Sequence, residues 1–258
     1  MATSEKTIRV EESERIGIIT LDGRGPLNIL DTRMLKELAD ALTLLEEHRK
    51  VRVVIITGTK NFCAGADIQE MKDKTPREAE AFSRLGHKVC SLIEEMGKIV
   101  IAAINGYALG GGCEIALSCD LRIATANARF GQPELNIGVI PGFGATQRLP
   151  RFVGIGRAKE MILTGRIVEA NEAASFGLAD MVVKEEQLLE RARELAEVIA
   201  QKSPLTVEMV KMLINGTIGT GEGLEEEIRS FAQCFGTEDH AEGIKAFLEK
   251  RKPTFKGT

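Results

Sequence analysis

The stretch "INGYALGGGCEIALSCD", Ile104 to Asp120, decides how the chain is read. Three consecutive glycines, Gly110 to Gly112, precede a carboxylate, Glu114, at the start of an apolar helical run. Two readings fit. Acidic residues favour the first turn of a helix, where unpaired N–H groups and the macrodipole are positive. Alternatively, bare backbone N–H groups face a site where negative charge develops, with a carboxylate beside them. The stretch alone leaves both open.

Its surroundings narrow the choice. Ahead of it lies "IVIAAI" (99–104), and two more short β-branched runs, "IGIITL" (16–21) and "VRVVIIT" (51–57), lie upstream. Continuous apolarity over so few residues suits strands buried on both faces. Between them, Leu35, Leu38, Leu42 and Leu45 repeat at helical spacing over 32–47, with Asp31 or Thr32 as cap. Phe82, Leu85, Val89, Ile93 and Met96 form a second stripe over 77–96. Strand–helix alternation predicts an α/β fold. Past residue 184 only helical patterns follow, so the expected division is an α/β core over 1–184 and a helical segment over 185–258. Helical appendages of this kind often bury an apolar face on another subunit.

Composition bounds the function. Of 258 residues, 43% are hydrophobic and 28% charged, enough for a sizeable core. A net charge of −4 favours neither nucleic acid nor an anionic membrane surface. No apolar run reaches the ~18 residues of a membrane span. The amino-terminal residues carry no export pattern, so a cytoplasmic location is expected. Five cysteines without a CxxC pair read as reduced, packed thiols, and three scattered histidines have no metal-ligand spacing. No metal is expected.

Neither "GYALGGG" nor "GFGATQR" fits a dinucleotide loop, and no phosphate-binding GxxxxGK[ST] or GxSxG nucleophile elbow occurs. A second loop repeats the first one's grammar: "VVIITGTKNFCAGADIQEM" runs strand, loop, "CAGAD" (63–67), helix. Two such loops together can supply a two-donor oxyanion hole. In "ARFGQPELNIGVIPGFGATQRLPRFVG" (128–154) a second carboxylate, Glu134, sits among Phe130, Leu135, Ile137, Val139 and Ile140. Apolar surroundings raise a carboxyl pKa and let it carry a proton near neutrality. Cys113 beside Glu114 reads as a packed thiol, since no histidine lies near it in sequence.

"NFCAGADIQEM", "INGYALGGGCEIALSCDLRIA", "FGQPELNIGVIPGFGATQRLPRFVG" and "FGTEDHAEGIKAFLEKRKPTFKG" together resemble the crotonase superfamily, and most closely its enoyl-CoA hydratases. The resemblance spans nearly the whole chain. It implies a crotonase-like (ββα) spiral core with a C-terminal helical trimerisation segment. It also implies syn hydration of a 2-trans-enoyl-CoA to a 3-hydroxyacyl-CoA, with CoA as part of the substrate and no cofactor. By position, the backbone N–H groups of Ala66 and Gly111 would form the oxyanion hole. Glu114 would take the proton of the attacking water and Glu134 would supply the α-proton, with the backbone of Gly142 helping to orient Glu134. Ala64 would contact the adenine of CoA, and Phe247 and Lys250 would reach the CoA of a neighbouring subunit in a homohexamer, a dimer of trimers. The segment "GRGPLNILDTRM", with Arg24 and Leu27, departs from the family pattern in the region that would lie beside CoA. The alternatives are an enoyl-CoA isomerase or another acyl-CoA reaction on the same scaffold, and a non-catalytic or RNA-binding member. Residues 68–81 are expected to shape the acyl pocket.

Overall fold

The computed structural model describes residues 7–23, 25–216 and 221–258, so Arg24 lies outside the described residues. Six strands form the main sheet: β1 (Ile8–Ser13), β2 (Ile16–Leu21), β3 (Val53–Gly58), β4 (Ile99–Ile104), β6 (Leu121–Thr125) and β9 (Met181–Val183), hydrogen-bonded in that order. Only the β1–β2 pair is antiparallel. A smaller sheet joins β5 (Tyr107–Leu109), β7 (Arg129–Gly131) and β8 (Val168–Glu169).

The central strands β2, β3, β4 and β6 are buried on both faces because a separate apolar layer covers each. Along β3, Val54 and Ile56 face the larger cluster, while Val53 and Ile55 face the smaller one. The large cluster is completed by α1 (Thr32–Glu47) and α3 (Pro76–Glu95), whose leucine, valine and isoleucine stripes point inward. Asp31 caps α1, its carboxylate accepting from the Met34 amide at 2.7 Å. Thr75 and Glu78 close a reciprocal capping box on α3.

The small cluster is closed by α7 (Leu188–Ala200), through Leu188, Ala192, Ala196 and Ala200. The division expected at residue 184 therefore falls inside the packed body. The first helix beyond it is the second layer of the sheet, with small alanines where the backbones approach. The remaining tail helices, α8 (Pro204–Asn215), α9 (Gly221–Cys234) and α10 (Glu238–Leu248), do form an appendage. Lys211 of α8 is its anchor: the buried ammonium pairs with Asp120 at 2.9 Å and donates to the carbonyls of Ile93 and Lys98.

Four further α-helices are found among the described residues, three of them α2 (Ile68–Met71), α4 (Gly111–Ser118) and α6 (Ala170–Ser175). Between α4 and α6 runs α5 (Ala145–Thr164), which breaks at Gly154, where φ is 78°. Both α2 and α4 begin in loops beyond the carboxyl ends of parallel strands, where α/β sheets expose backbone for binding.

Candidate active site

Two loops are laced together before either reaches its helix. Cys63 N–H donates to the Tyr107 carbonyl at 2.8 Å and Leu109 N–H to the Cys63 carbonyl at 3.0 Å. The lacing is so close that a Cβ on Gly112 would lie 2.2 Å from the Cys63 carbonyl oxygen. Gly110 has φ 50°, and a Cβ there would lie 2.9 Å from Glu134 Oε1. The glycines therefore answer two needs: one lets the loops meet and another makes room for a carboxylate. Only a residue without a side chain does either.

Ala66 sits between two bonds of its own loop, from Leu30 N–H to the Gly65 carbonyl (2.8 Å) and from Asp67 N–H to the Leu30 carbonyl (2.9 Å). Its own amide has no acceptor among the described residues. Gly111, at the first turn of α4, likewise has an amide without an acceptor. Both residues line one cavity of about 910 Å³. Unpaired donors at the wall of a cavity, one at a helix start, are an anion site in waiting.

Glu114 and Glu134 line the same cavity. Glu114 is 1% exposed, and its Oε1 accepts from the amides of Phe143 and Ala145, each at 2.8 Å. Burial raises its pKa above the ordinary carboxylate value, against the smaller pull of those amides, of the Gly144 amide and of Arg148. Glu134 opens a 3-10 turn, Glu134–Ile137, closed by Gly138 in the left-handed conformation. Burial, with a smaller contribution from the neighbouring Glu114, raises its pKa to about 7. The apolar neighbours expected to bury it do so incompletely. Ile137, Val139 and Ile140 are exposed and line the cavity instead, an apolar rim facing the space a ligand would fill.

Three side chains outside the expected set act here. Gln132 is fully buried, and its amide is oriented to donate to Glu134 Oε1 and Oε2 at 3.0 and 3.2 Å. Phe143 packs against Phe82 with ring centroids 5.6 Å apart, walling the cavity. Arg148 donates to the Phe143 carbonyl at 2.7 Å. The signal for Gln132 was its position two residues before Glu134, where a strand ends. Arg148 carried none, because Glu94, the carboxylate it grips, lies 54 residues away in sequence.

The glycine turn serves a different carboxylate from the expected one. Gly142 makes no bond to Glu134; its carbonyl accepts from Ser83 Oγ at 2.6 Å, and the amides that follow it hold Glu114. Ala64 lines the cavity with its amide engaged by the Leu27 carbonyl at 2.9 Å. Ile68, Met71, Lys74 and Ala79 line it too, in the segment expected to shape an acyl pocket. Phe247 and Lys250 do not; Phe247, at the end of α10, is 82% exposed. Cys113 is buried and its thiol is pushed up to about 12, a packed group rather than a nucleophile.

Two amides without acceptors and two carboxyl groups with raised pKa values, gathered in one cavity, suit acid–base chemistry on a polarised carbonyl compound. The enoyl-CoA hydratase/isomerase family model matches residues 11–258, and the chain belongs to that family. It is 44% identical to a crotonyl-CoA hydratase of Syntrophomonas wolfei, over 97% of this chain and 98% of that one. It is 45% identical to a short-chain-enoyl-CoA hydratase of Clostridium acetobutylicum, over 94% and 95%. The crystal structure of an enoyl-CoA hydratase from Bacillus anthracis superposes with a TM-score of 0.94 at 40% identity, covering 98% of this chain and all of the other. The fold is thus the α/β crotonase-like architecture that the motifs implied.

Proposed function

We propose that this chain hydrates short 2-trans-enoyl-CoA thioesters to 3-hydroxyacyl-CoA without a cofactor. The observation that carries this is one cavity holding two unpaired amides, Ala66 and Gly111, with two glutamates in different surroundings, Glu114 gripped by backbone amides and Glu134 with a pKa raised to about 7. The thioester oxygen accepts from both amides. Glu114 removes a proton from water as the oxygen bonds to the β-carbon. The π electrons of the double bond move onto the thioester as an enolate, whose charge the two amides stabilise. Glu134, protonated near neutral pH, then gives its proton to the α-carbon. A proton returning from Glu114 to Glu134 through solvent resets the pair. Each acid–base group is worth roughly 10²–10⁴ in rate, and each hole donor roughly 10²–10³.

The crotonyl-CoA and short-chain substrates named for the two relatives support the acyl class. An isomerase needs only one carboxylate to shuttle a proton along the chain, so the pair favours hydration. The exposed apolar side chains Val210, Met212, Ile214, Ile228 and Phe231 on α8 and α9 support burial against further copies. We extend the proposal to a homohexamer in which Phe247 and Lys250 contact a neighbour's CoA. Light scattering reads the oligomer directly.

The test is loss of the conjugated thioester's ultraviolet absorbance with crotonyl-CoA, wild type beside Glu114→Gln and Glu134→Gln. Rapid loss in the wild type and slow loss in both variants is expected. No loss with crotonyl-CoA or longer 2-enoyl-CoAs would overturn the proposal.

A further inference from the structure

Arg148 of α5 does not line the cavity and is held in a tight frame behind the turn that grips Glu114. Its residue exposure is 9%. Nε and Nη2 grip both oxygens of Glu94 on α3, at 2.8 and 2.5 Å. Such a fork uses the guanidinium's planar donor geometry, which an ammonium cannot reproduce. The remaining arm, Nη1, donates to the Phe143 carbonyl at 2.7 Å.

That carbonyl belongs to the peptide unit whose N–H is that of Gly144. The Gly144 amide faces Glu114, flanked by the Phe143 and Ala145 amides that bond Glu114 Oε1. One peptide turn thus lies between a guanidinium on its carbonyl side and a carboxylate on its amide side. Hydrogen bonds in series polarise one another, so a cation on the carbonyl strengthens the amide's hold on the anion. The turn is built for this contact: Gly144 has φ 115°, and a Cβ there would sit 2.0 Å from Arg148 Nη1.

We propose that Arg148 is a positioning residue for the reaction: through the Phe143–Ala145 turn, and anchored by Glu94, it holds Glu114 oriented and ionised as the base. This rests on the hydration chemistry given above, in which Glu114 must start unprotonated. Without that support, a carboxylate this deeply buried favours its neutral form. The other titratable groups facing Glu114 are Glu134 from the 3-10 turn, Cys113 on its own helix and Cys90 from α3. Both thiols are neutral, since burial pushes each up to about 12. His87 of α3 faces Arg148, and burial, with that charge beside it, lowers its pKa and favours the neutral ring. Of the cations, Arg148 pulls on Glu114, while Lys74, which lines the same cavity, is paired with Glu70 at 2.7 Å.

The full-length protein tests this in two independent readouts. First, the infrared band of the protonated Glu114 carboxyl, assigned by its disappearance in Glu114→Gln, is titrated in wild type, Arg148→Met and Arg148→Lys. Expected is a midpoint raised by about one unit or more in Arg148→Met and nearly restored in Arg148→Lys. Second, steady-state hydration of crotonyl-CoA is followed against pH. Glu114 works ionised, so activity falls as pH drops through its pKa, and a raised pKa moves the acid limb to higher pH. Expected for Arg148→Met is that upward move, with kcat lowered about 10²-fold and KM nearly unchanged. Arg148→Lys keeps the wild-type limb but a reduced kcat, because lysine cannot grip Glu94 and the Phe143 carbonyl together. Should Arg148→Met fail to fold, Arg148→Lys and Glu94→Gln carry both measurements. An unchanged Glu114 midpoint in a folded variant without the guanidinium, or in Glu94→Gln if that is the folded one, overturns the inference. A wild type inactive on enoyl-CoA would sink the hydratase proposal, while the infrared titration would still decide whether Arg148 governs Glu114.

Discussion

Glu114 and Glu134 are the same residue type in one cavity, yet their surroundings treat them differently. Glu114 rises from a regular helix, is almost fully buried, and is gripped by the amides of the Phe143–Ala145 turn with Arg148 behind them. Glu134 stands on a short 3-10 turn, half-buried, with a pKa raised to about 7 and a single side-chain partner, Gln132. A fixed array of dipoles favours an anion, whereas desolvation with few donors favours a neutral acid. The difference teaches that, in the proposed mechanism, backbone donors rather than the carboxyl group itself assign base and acid.

The comparison breaks first at the carboxylates themselves. Replacing either with glutamine keeps its shape and removes its proton chemistry, so crotonyl-CoA hydration should fall about 10³-fold in each variant. Near-wild-type turnover in one would remove that residue from the mechanism. Next in size is the turn that makes Glu114 different. Gly144→Ala places a methyl where the Arg148 guanidinium lies and forces an L-residue to φ 115°. Expected are a loss of roughly 1–3 kcal/mol in stability by denaturant titration and a fall in kcat of about 10²-fold.

The acid half is sharpened by pH. Glu134 must be protonated to deliver the α-proton, so rate falls as pH rises through its pKa, about 7 in the free protein. A basic limb in kcat/KM is therefore expected near that value, falling about tenfold per pH unit beyond it. Gln132→Leu removes donors that stabilise the Glu134 anion. That raises the pKa and moves the limb to higher pH; a move to lower pH would contradict the role given to Gln132. The smallest effect belongs to a group next to the base that takes no part. Cys113→Ala should leave kcat within about threefold and cost about 1 kcal/mol as a small packing defect, read by turnover and thermal melting.

How much of this was legible depended on whether a residue's role is local. The α1 stripe of Leu35, Leu38, Leu42 and Leu45 is buried as its spacing implied, and β2 and β4 begin and end where their apolar runs do. By contrast, β1 reads "IRVEES", charged at three of its six positions, because it lies at the sheet edge with a partner on one side only. The two- and three-residue strands of the second sheet are too short to show a period. In the site, Glu114, Glu134 and both amide positions stood out through glycine clusters and motif order. Gln132 and Arg148 did not. Gln132 stands two residues from the carboxylate it bonds but carries no pattern of its own, and Arg148 acts through a helix more than fifty residues upstream, which no local pattern encodes. Similarly, α7 looked like the rest of the helical tail, since an amphipathic pattern does not say which surface its apolar face will meet.

The most direct test of two carboxylates working on one side of the double bond is hydration of crotonyl-CoA in deuterium oxide, with the product's relative configuration read by proton NMR. Both glutamates line one cavity, so hydroxyl and deuterium should add to the same face, giving a single syn diastereomer. An anti product, or a mixture formed at the catalytic rate, would contradict the arrangement, because the α-proton would then come from a group other than Glu134.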